Sequence, residues 1–241
     1  MRIGVFGDVH GNLAALNAVL ADGRRQQVEH WVCLGDVAFK GPQPAECIEA
    51  IAAIPGIAQI QGNTDQWLTR GFPASFQPPE PRRRQMDAFR AWGLNRLNSA
   101  QLRRLQQLPL QYAWHGLGEQ LLCVHASPHS TEDWYPASAD ETELSPMVAE
   151  QKATIVVYGH IHSQFARKIG ERMLINTGSA GNPIDGDSRA AYLILTIEPD
   201  ACSYTLHRVA YDIAATVQAA REGGFPYADE YEQALRTGAA L

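Results

Sequence analysis

Seven residues that could bind metal ions stand at or just after the ends of five short apolar segments. The segments read RIGVFGD, HWVCLGD, IAQIQGN, LLCVH and TIVVYGH. Carboxylate, amide carbonyl and imidazole groups are the ligands that proteins offer to divalent transition metals. We therefore predict a metal site. Its expected ligands are Asp8, His10, Asp36, Asn63, His125, His160 and His162.

Two ligand pairs, Asp8 with His10 and His160 with His162, are each separated by one residue. In an extended backbone, side chains at positions i and i+2 point to the same side and lie roughly 7 Å apart. Each pair is therefore expected to face a single site. The separate segments must still be brought together by the fold.

The apolar segments are typical of strands that are buried on both faces. Helical patterns separate the first of them: Leu13, Leu16, Val19 and Leu20 fit one helix face, and PAECIEAIAAI (44–54) predicts a second helix. Asn12 is the expected N-cap of the first helix. Alternating strands and helices indicate βαβ units, whose ligands collect at the carboxyl ends of the strands.

The remaining chain departs from this alternation. Residues 66–108 predict a helical insertion that lies over the edge of the sheet. Between 163 and 209, the four strand-like segments QFARKIG, RMLIN, AAYLILTI and CSYTLHRV have no helices between them, which predicts an antiparallel meander forming a second sheet. We expect residues 1–210 to form one α/β domain. Two helices in 211–241 should form a C-terminal helical extension packed on it.

Composition limits the class of protein. The 241 residues are 45% hydrophobic and 19% charged, which fits one large globular domain, and the net charge is −6. This charge argues against a polymeric nucleic acid as partner. The chain has no apolar stretch of membrane-spanning length and no signal-peptide pattern. We expect a cytoplasmic protein without a membrane partner.

The motif order D-x-H, G-D, G-N-x-D, H and G-H-x-H resembles the signature of the calcineurin-like metallophosphoesterase superfamily, over residues 1 to about 210. GDVAFKGPQP and INTGSAGNPIDGD are similar to the smaller bacterial and archaeal phosphodiesterase-like branch. The resemblance implies a two-sheet α-β-β-α sandwich. It also implies two divalent transition-metal ions, with manganese expected first and iron, zinc, cobalt or nickel as alternatives.

The resemblance also implies how the ligands are shared. The first metal would be held by Asp8, His10, Asp36 and His162, and the second by Asp36, Asn63, His125 and His160. Asp36 would bridge metals roughly 3.5–4 Å apart, which share a hydroxide that attacks phosphorus. This makes Asp36 and Asn63 part of the catalytic centre. Two divalent ions, two carboxylates and the hydroxide leave one net positive charge, which suits a phosphate ester.

Thr64 departs from the superfamily pattern, which usually has His at this position. Threonine cannot act as a general acid near neutral pH, and losing such an acid typically costs roughly 10²–10⁴-fold. Phosphodiesters and phosphoanhydrides should therefore be favoured over alkyl monoesters. His129 could donate a proton instead, although an exposed loop histidine is the simpler interpretation. The residues expected to contact substrate or shape its site are Thr64, Asp65, Gly178 and Ser179.

The sequence therefore predicts a metal-dependent phosphoesterase, acting as a phosphodiesterase or phosphatase on a small phosphorylated, nucleotide-derived substrate. A phosphoprotein phosphatase is an alternative, which the absence of His at position 64 disfavours. A second alternative is a non-catalytic protein-binding scaffold, since the retromer subunit has this fold. Asp65 could orient its loop instead of touching metal, and Arg82–Arg84 fit a solvated helix face.

Overall fold

Strand β1 (Arg2–Phe6) occupies the centre of a five-stranded sheet in the computed structural model, which describes residues 1–199 and 201–240. On one side it pairs in parallel with β2 (His30–Cys33), which pairs in parallel with the short β3 (Ala58–Gln59). On the other side it pairs antiparallel with β9 (Ala190–Glu198), and β10 (Ala201–Val209) completes this first sheet. Because β1 is paired on both sides, the start of the loop that follows it is held in place.

The second sheet contains β4 (Gln111–Gly116), β5 (Glu119–Val124), β6 (Ile155–Tyr158), β7 (Phe165–Ile169) and β8 (Arg172–Asn176). Its strand order is β4-β5-β6-β8-β7, in which β5, β6 and β8 are parallel and the two edge strands are antiparallel. The predicted two-sheet α/β architecture is confirmed.

The predicted antiparallel meander over 163–209 is wrong in its pairing. Strands β7 and β8 belong to the second sheet, whereas β9 and β10 return to the first. The physical reason lies in β9, whose residues Ala190–Leu195 are buried on both faces. One face packs against the helices and the other against the second sheet, which is possible only in the interior of the first sheet, between β1 and β10. Strand β4 was not predicted, because its residues are alternately exposed and half-buried.

Side chains from both sheets meet in a shared core. Ile3 and Val5 of β1 pack there with Leu121, Val157 and other residues of the second sheet. Phe6 points the opposite way, into a core that the first sheet shares with its helices. Because side chains alternate along β1, one face of the strand packs against the second sheet and the other against the helices.

Helices cover the outer face of the first sheet. The Asn12 side chain caps the first helix (Leu13–Arg25) by accepting a hydrogen bond from the Ala15 N–H at 3.1 Å. Sequence reasoning missed the helix that begins at Asn63. Its first turn is capped by one of its own residues, Asp65, which accepts a hydrogen bond from the Gly62 N–H. The helices on this side are α1 (Leu13–Arg25), α2 (Pro44–Ala52), α3 (Asn63–Arg70), α4 (Glu80–Arg96) and α5 (Ser99–Gln107).

A short helix, α6 (Glu141–Leu144), packs on the second sheet, and the chain ends with α7 (Ile213–Gly223) and α8 (Ala228–Thr237). In α7, the Thr216 hydroxyl donates to Asn12 Oδ1 at 3.0 Å, so this tail is tied to the loop after β1. These contacts support our proposal that 211–241 extend the domain formed by 1–210. Within the described residues, no helix is both long and apolar enough to span a bilayer.

Candidate metal centre

Five of the seven predicted ligands stand in sharp loops, not in extended chain. Positive φ angles between 47° and 65° occur at Asp8, His10, Asp36, His160 and His162. The assumption that each i, i+2 pair is extended is therefore wrong. Asp8 and His10 nevertheless belong to one cluster, and His160 and His162 line the same cavity. Non-glycine residues with positive φ are uncommon, and such strain of order 1–3 kcal/mol each concentrates at functional sites.

Hydrogen bonds between the loops hold these conformations. The loop after β1 bonds to the loop after β2, through Asp8 N–H to Gly35 O at 3.0 Å and His10 N–H to Asp36 O at 2.9 Å. A third segment braces it from the other side, because Gly181 N–H donates to Asp8 O at 3.0 Å. The loops therefore act as one framework that fixes three ligand candidates, Asp8, His10 and Asp36.

The first cluster consists of Asp8, His10 and His162, whose ligand atoms lie within 4.8 Å of one another. His10 Nε2 lies 3.1 Å from His162 Nε2, and His162 Nε2 lies 3.3 Å from Asp8 Oδ1. All three side chains are buried. His10 and His162 thus meet although they follow strands of different sheets, β1 and β6.

The tautomers of these histidines follow from their second nitrogen atoms. His10 Nδ1 lies 2.8 Å from Phe39 O, and His162 Nδ1 lies 2.6 Å from Asn182 O. A carbonyl oxygen only accepts, so each Nδ1 must carry the proton. Each Nε2 then presents a lone pair toward the other. Facing lone pairs repel unless a cation lies between them, which is how metal-binding histidines are usually oriented.

A second cluster joins Asp8 and Asp36 to His125. The two oxygens of Asp36 face different histidines, with Oδ1 3.6 Å from His125 Nε2 and Oδ2 3.8 Å from His10 Nε2. Asn63 Oδ1 lies 3.0 Å from His125 Nε2. Asp36 thus presents one oxygen toward each cluster, and Asp8 belongs to both. We propose that Asp36 bridges two ions.

Glu132 determines which end of the Asn63 amide faces His125. Its carboxylate accepts from Asn63 Nδ2 at 3.3 Å and from the Trp67 indole at 2.7 Å. The amide oxygen is consequently turned toward the cluster. Burial raises the pKa of Glu132. Sequence reasoning missed this residue, since nothing in STEDW signals a contact with a residue 69 positions earlier.

His160 lies beside the second cluster but outside the two compact groupings. Its ring centroid is 5.1 Å from that of His125, and its backbone N–H donates to Asp8 Oδ2 at 3.0 Å. Burial lowers the pKa of His160 to about 3, so its imidazole is neutral and able to bind a cation. We keep it as the proposed seventh ligand.

Electrostatics favours the metal-binding protonation states of Asp8 and His10, whereas burial opposes ionisation of Asp36. Burial opposes ionisation of Asp8, yet His162 and the other nearby histidines hold its pKa well below the usual range. Burial, reinforced by His162, lowers the pKa of His10. Burial raises the pKa of Asp36. Asp8 Oδ1 has no hydrogen-bond partner among residues 1–199 and 201–240. A buried anionic oxygen facing neutral imidazoles fits a divalent cation.

The clusters open into a cavity of about 270 Å³. Seven of its lining residues were not predicted as site residues, among them Lys40, Arg82 and Trp134. Burial, and then repulsion from Arg82, lowers the pKa of Lys40 to about 8. The full lining is His10, Asp36, Lys40, Asn63, Thr64, Trp67, Arg82, Trp134, His160, His162, Asn182, Ile184 and Ala240.

Thr64 is the only predicted substrate-contacting residue that lines this cavity, within the part of the chain that the structure describes. Its hydroxyl is buried without a hydrogen-bond partner among those residues, and its N–H donates to Asp36 Oδ1 at 2.9 Å. A buried hydroxyl facing a polar cavity is available to a ligand oxygen.

Other residues predicted to contact substrate instead hold the loops. Both oxygens of Asp65 accept backbone hydrogen bonds, from Asp36, Val37 and Gly62. Ser179 Oγ donates to Asp8 O at 2.7 Å, while Gly178 adopts a φ of 68° that suits glycine. We therefore reassign Asp65, Gly178 and Ser179 to positioning the loops.

His129 is exposed and does not belong to the cavity lining. Its backbone N–H donates to Ser127 Oγ at 3.0 Å, within a local turn. The structure gives no contact between its ring and the metal clusters. The simpler interpretation, an exposed loop histidine, therefore fits this position better than a proton donor.

A larger groove of about 520 Å³ lies at the amino ends of the second sheet's parallel strands, where Thr154 and Arg172 belong to its lining. This lining contains no histidine or aspartate. Neither metal-binding grouping found in the described residues includes any of its side chains. The candidate metal ligands therefore lie beside the smaller cavity and not beside this groove.

The comparisons with known proteins agree with the resemblance. An uncharacterized protein of Methanocaldococcus jannaschii, MJ0912, is 28% identical over 233 residues, covering 88% of each chain. The crystal structure of a metallophosphoesterase from Sphaerobacter thermophilus matches with 30% identity and a TM-score of 0.77, covering 99% of both chains. The fold is shared with hypothetical protein PH1004 from Pyrococcus horikoshii OT3, at 17% identity and a TM-score of 0.86, covering 100% of this chain and 99% of that one. Residues 1–200 match the model of the calcineurin-like phosphoesterase superfamily domain, and the chain belongs to that superfamily.

Proposed function

We propose that this protein hydrolyses phosphodiester or phosphoanhydride bonds of small, nucleotide-derived molecules with a dinuclear metal centre. The observation that carries the proposal is the convergence of buried acceptor atoms, Asp8 Oδ1, His10 Nε2 and His162 Nε2, beside a cavity. Two divalent ions bound there would activate a shared water molecule and neutralise charge on phosphate. The mixed oxygen and nitrogen donors make manganese our first candidate.

The residues of the chain would perform distinct tasks. Asp36 presents one oxygen to each histidine cluster, so it would hold both ions at a fixed spacing. Asn63 would contribute its amide oxygen, which Glu132 orients. The Thr64 hydroxyl can donate to a phosphate oxygen. None of these residues is an acid that could protonate an alkoxide efficiently near neutral pH.

Trp134 supports an aromatic substrate. Its side chain is 58% exposed although it lines the cavity, and its ring lies 5.6 Å from the ring of His160. An exposed indole at the site is a surface on which an aryl group or nucleobase can stack, with a gain of roughly 1–3 kcal/mol. The cavity of about 270 Å³ suits a small molecule more than a folded phosphoprotein.

Metal loading and turnover test the proposed function directly. We expect about two ions per chain after incubation with Mn²⁺, because the two clusters share Asp8, and Asp36 of the second cluster also faces His10 of the first. The loaded protein should hydrolyse bis(p-nitrophenyl) phosphate, whereas the metal-free protein should not. The measurements are elemental analysis and release of p-nitrophenolate. Metal binding without turnover of any aryl ester would favour the scaffold alternative. If the natural protein neither bound metal nor hydrolysed an aryl ester, the proposal would be rejected.

Thr64→His should raise hydrolysis of alkyl monoesters more than hydrolysis of aryl diesters. An imidazole at this cavity position could protonate a departing alkoxide, an effect worth on the order of 10²-fold or more where it operates. Aryl oxides depart unaided and should gain little. The measurement is kcat/KM for matched alkyl and aryl substrates, with Thr64→Val as the control that removes only the hydroxyl. Efficient alkyl-monoester hydrolysis by the natural protein would contradict this explanation.

A further inference from the structure

The segment that follows α8 turns back to the metal-site cavity. Gly238 ends the helix with a φ of 62°, and its N–H donates to Ala234 O at 2.9 Å. This left-handed backbone suits glycine and changes the direction of the chain at the end of the helix. Two residues later, Ala240 belongs to the cavity lining. The C-terminal extension therefore contributes to the wall of the site as well as to the packing of the domain.

Contacts between backbones hold this segment in place. Gly238 O accepts a hydrogen bond from the Gly186 N–H at 2.9 Å, and a Cβ on residue 238 would lie 2.8 Å from Asp187 N. Helix α8 is anchored as well, because Tyr231 is buried in the core that the first sheet shares with its helices. Consecutive Cα atoms are about 3.8 Å apart, so residue 240 lies no more than roughly 7.6 Å from this fixed point. Its methyl group is thus kept near the cavity.

The loop that holds this segment also orients a candidate metal ligand. Asn182 O accepts the hydrogen bond from His162 Nδ1 at 2.6 Å, and Gly186 follows in the same loop. Asn182, Ile184 and Ala240 all line the cavity. The loop and the segment after α8 therefore form one wall of the cavity, on the side of His162.

The chemistry of this wall differs from that of the rest of the cavity. Among the residues that the structure describes, Ile184 and Ala240 are the only aliphatic side chains in the lining, and the others are charged, polar or aromatic. A phosphate group gains nothing from an aliphatic surface, whereas an uncharged group bonded to it can bury apolar area there. The wall is therefore suited to the organic part of a phosphate ester.

We propose that residues 238–240 form a size-selective wall of the substrate site, next to the organic group that the reacting phosphate retains. This inference rests on the proposed function and narrows it, because Ala240 would limit how large that group can be. A larger side chain at position 240 would reduce a cavity of only about 270 Å³. A difference of one methylene group in an apolar pocket already changes discrimination by roughly 10- to 200-fold.

Two substrates with the same leaving group test the wall. Methyl p-nitrophenyl phosphate and the p-nitrophenyl ester of thymidylate both release p-nitrophenolate, and they differ in the size of the group that the phosphate retains. In the Mn²⁺-loaded protein, Ala240→Trp should lower kcat/KM for the thymidylate ester on the order of 10-fold or more, because the indole occupies space that the nucleoside needs. The value for the methyl ester should change less than about threefold. Ala240→Leu should give an intermediate loss for the thymidylate ester.

Ala239→Trp is the matched control, because Ala239 is an exposed neighbour of Ala240 that does not belong to the cavity lining. It should leave both values of kcat/KM unchanged. Calorimetric titration provides a readout that does not require turnover. With thymidylate and inorganic phosphate as probes, Ala240→Trp should weaken binding of thymidylate and leave binding of phosphate unchanged.

Equal losses for the large and the small probe would overturn the proposal, as would no loss for either, because both results contradict a wall that selects by size. Failure of thymidylate to bind the natural protein would also overturn it. If the natural protein hydrolysed neither ester but the affinities changed as expected, the proposed function would be rejected while the size-selective wall was retained.

Discussion

Replacing Asp36 with Asn is expected to remove binding of both metal ions and to lower phosphodiester turnover on the order of 10³-fold or more. The carboxylate faces His10 with one oxygen and His125 with the other. An amide of the same shape keeps one oxygen but turns an NH₂ group toward the remaining histidine. It also removes one of the two negative charges that both clusters depend on. The variant should therefore lose the bridge while keeping the shape of the loop.

The test of Asp36→Asn combines metal content, kcat/KM for bis(p-nitrophenyl) phosphate and thermal unfolding. Burial raises the pKa of Asp36, so its ionised form is disfavoured in the metal-free fold. The metal-free variant should consequently unfold at no lower temperature than the metal-free natural protein. Asp229→Asn makes the same charge change on the exposed surface of α8 and should have no effect. Two bound ions and normal turnover in Asp36→Asn would contradict the assignment.

Gly181→Ala should destabilise the protein by more than about 3 kcal/mol and abolish metal binding. A Cβ on residue 181 would lie 1.8 Å from Val9 O. The Gly181 N–H donates a hydrogen bond to Asp8 O, so the two segments are already in close contact. The obstacle is backbone, which cannot rotate away as a side chain can. Relief of the clash would require the Asp8 loop to move, and the adjacent ligands would be displaced with it.

Urea unfolding of the metal-free protein measures this effect without relying on the metal. Gly56→Ala is the matched control, because Gly56 has a φ of 66° and an added Cβ would have no atom within 4 Å. That substitution should lower the free energy of unfolding by only about 1–2 kcal/mol, because alanine is disfavoured in the left-handed backbone region. A Gly181→Ala variant no less stable than the Gly56→Ala control would show that the loops can separate more easily than the close approach indicates.

The seven ligand candidates could be chosen from the sequence because strand-forming segments and ligand chemistry are both local properties. Each apolar run determines a buried strand, and each ends at a residue with a suitable donor. The parallel strands then bring their carboxyl ends to one edge. The superfamily was identified for the same reason, since its motifs lie in these short segments.

The pairing of the last strands and the geometry of the site depended on the tertiary structure. Nothing in the local pattern of β9 shows that it returns to β1, because its pairing partners and the two layers that bury its faces come from remote parts of the chain. Likewise, His10 and His162 adopt positive φ angles, which the sequence does not predict, because hydrogen bonds with distant loops stabilise them.

Glu132 and Lys40 show most clearly the difference between what the local sequence predicts and what the tertiary structure decides. Neither occurs in a motif of the metal site, yet one orients the Asn63 amide and the other lines the cavity. Their roles depend on side chains that are remote in sequence, so a reading of local patterns identifies the metal ligands and misses these partners. The sequence by itself determined the chemistry available at the strand ends. The packing of loops from both sheets decided which other residues share that site.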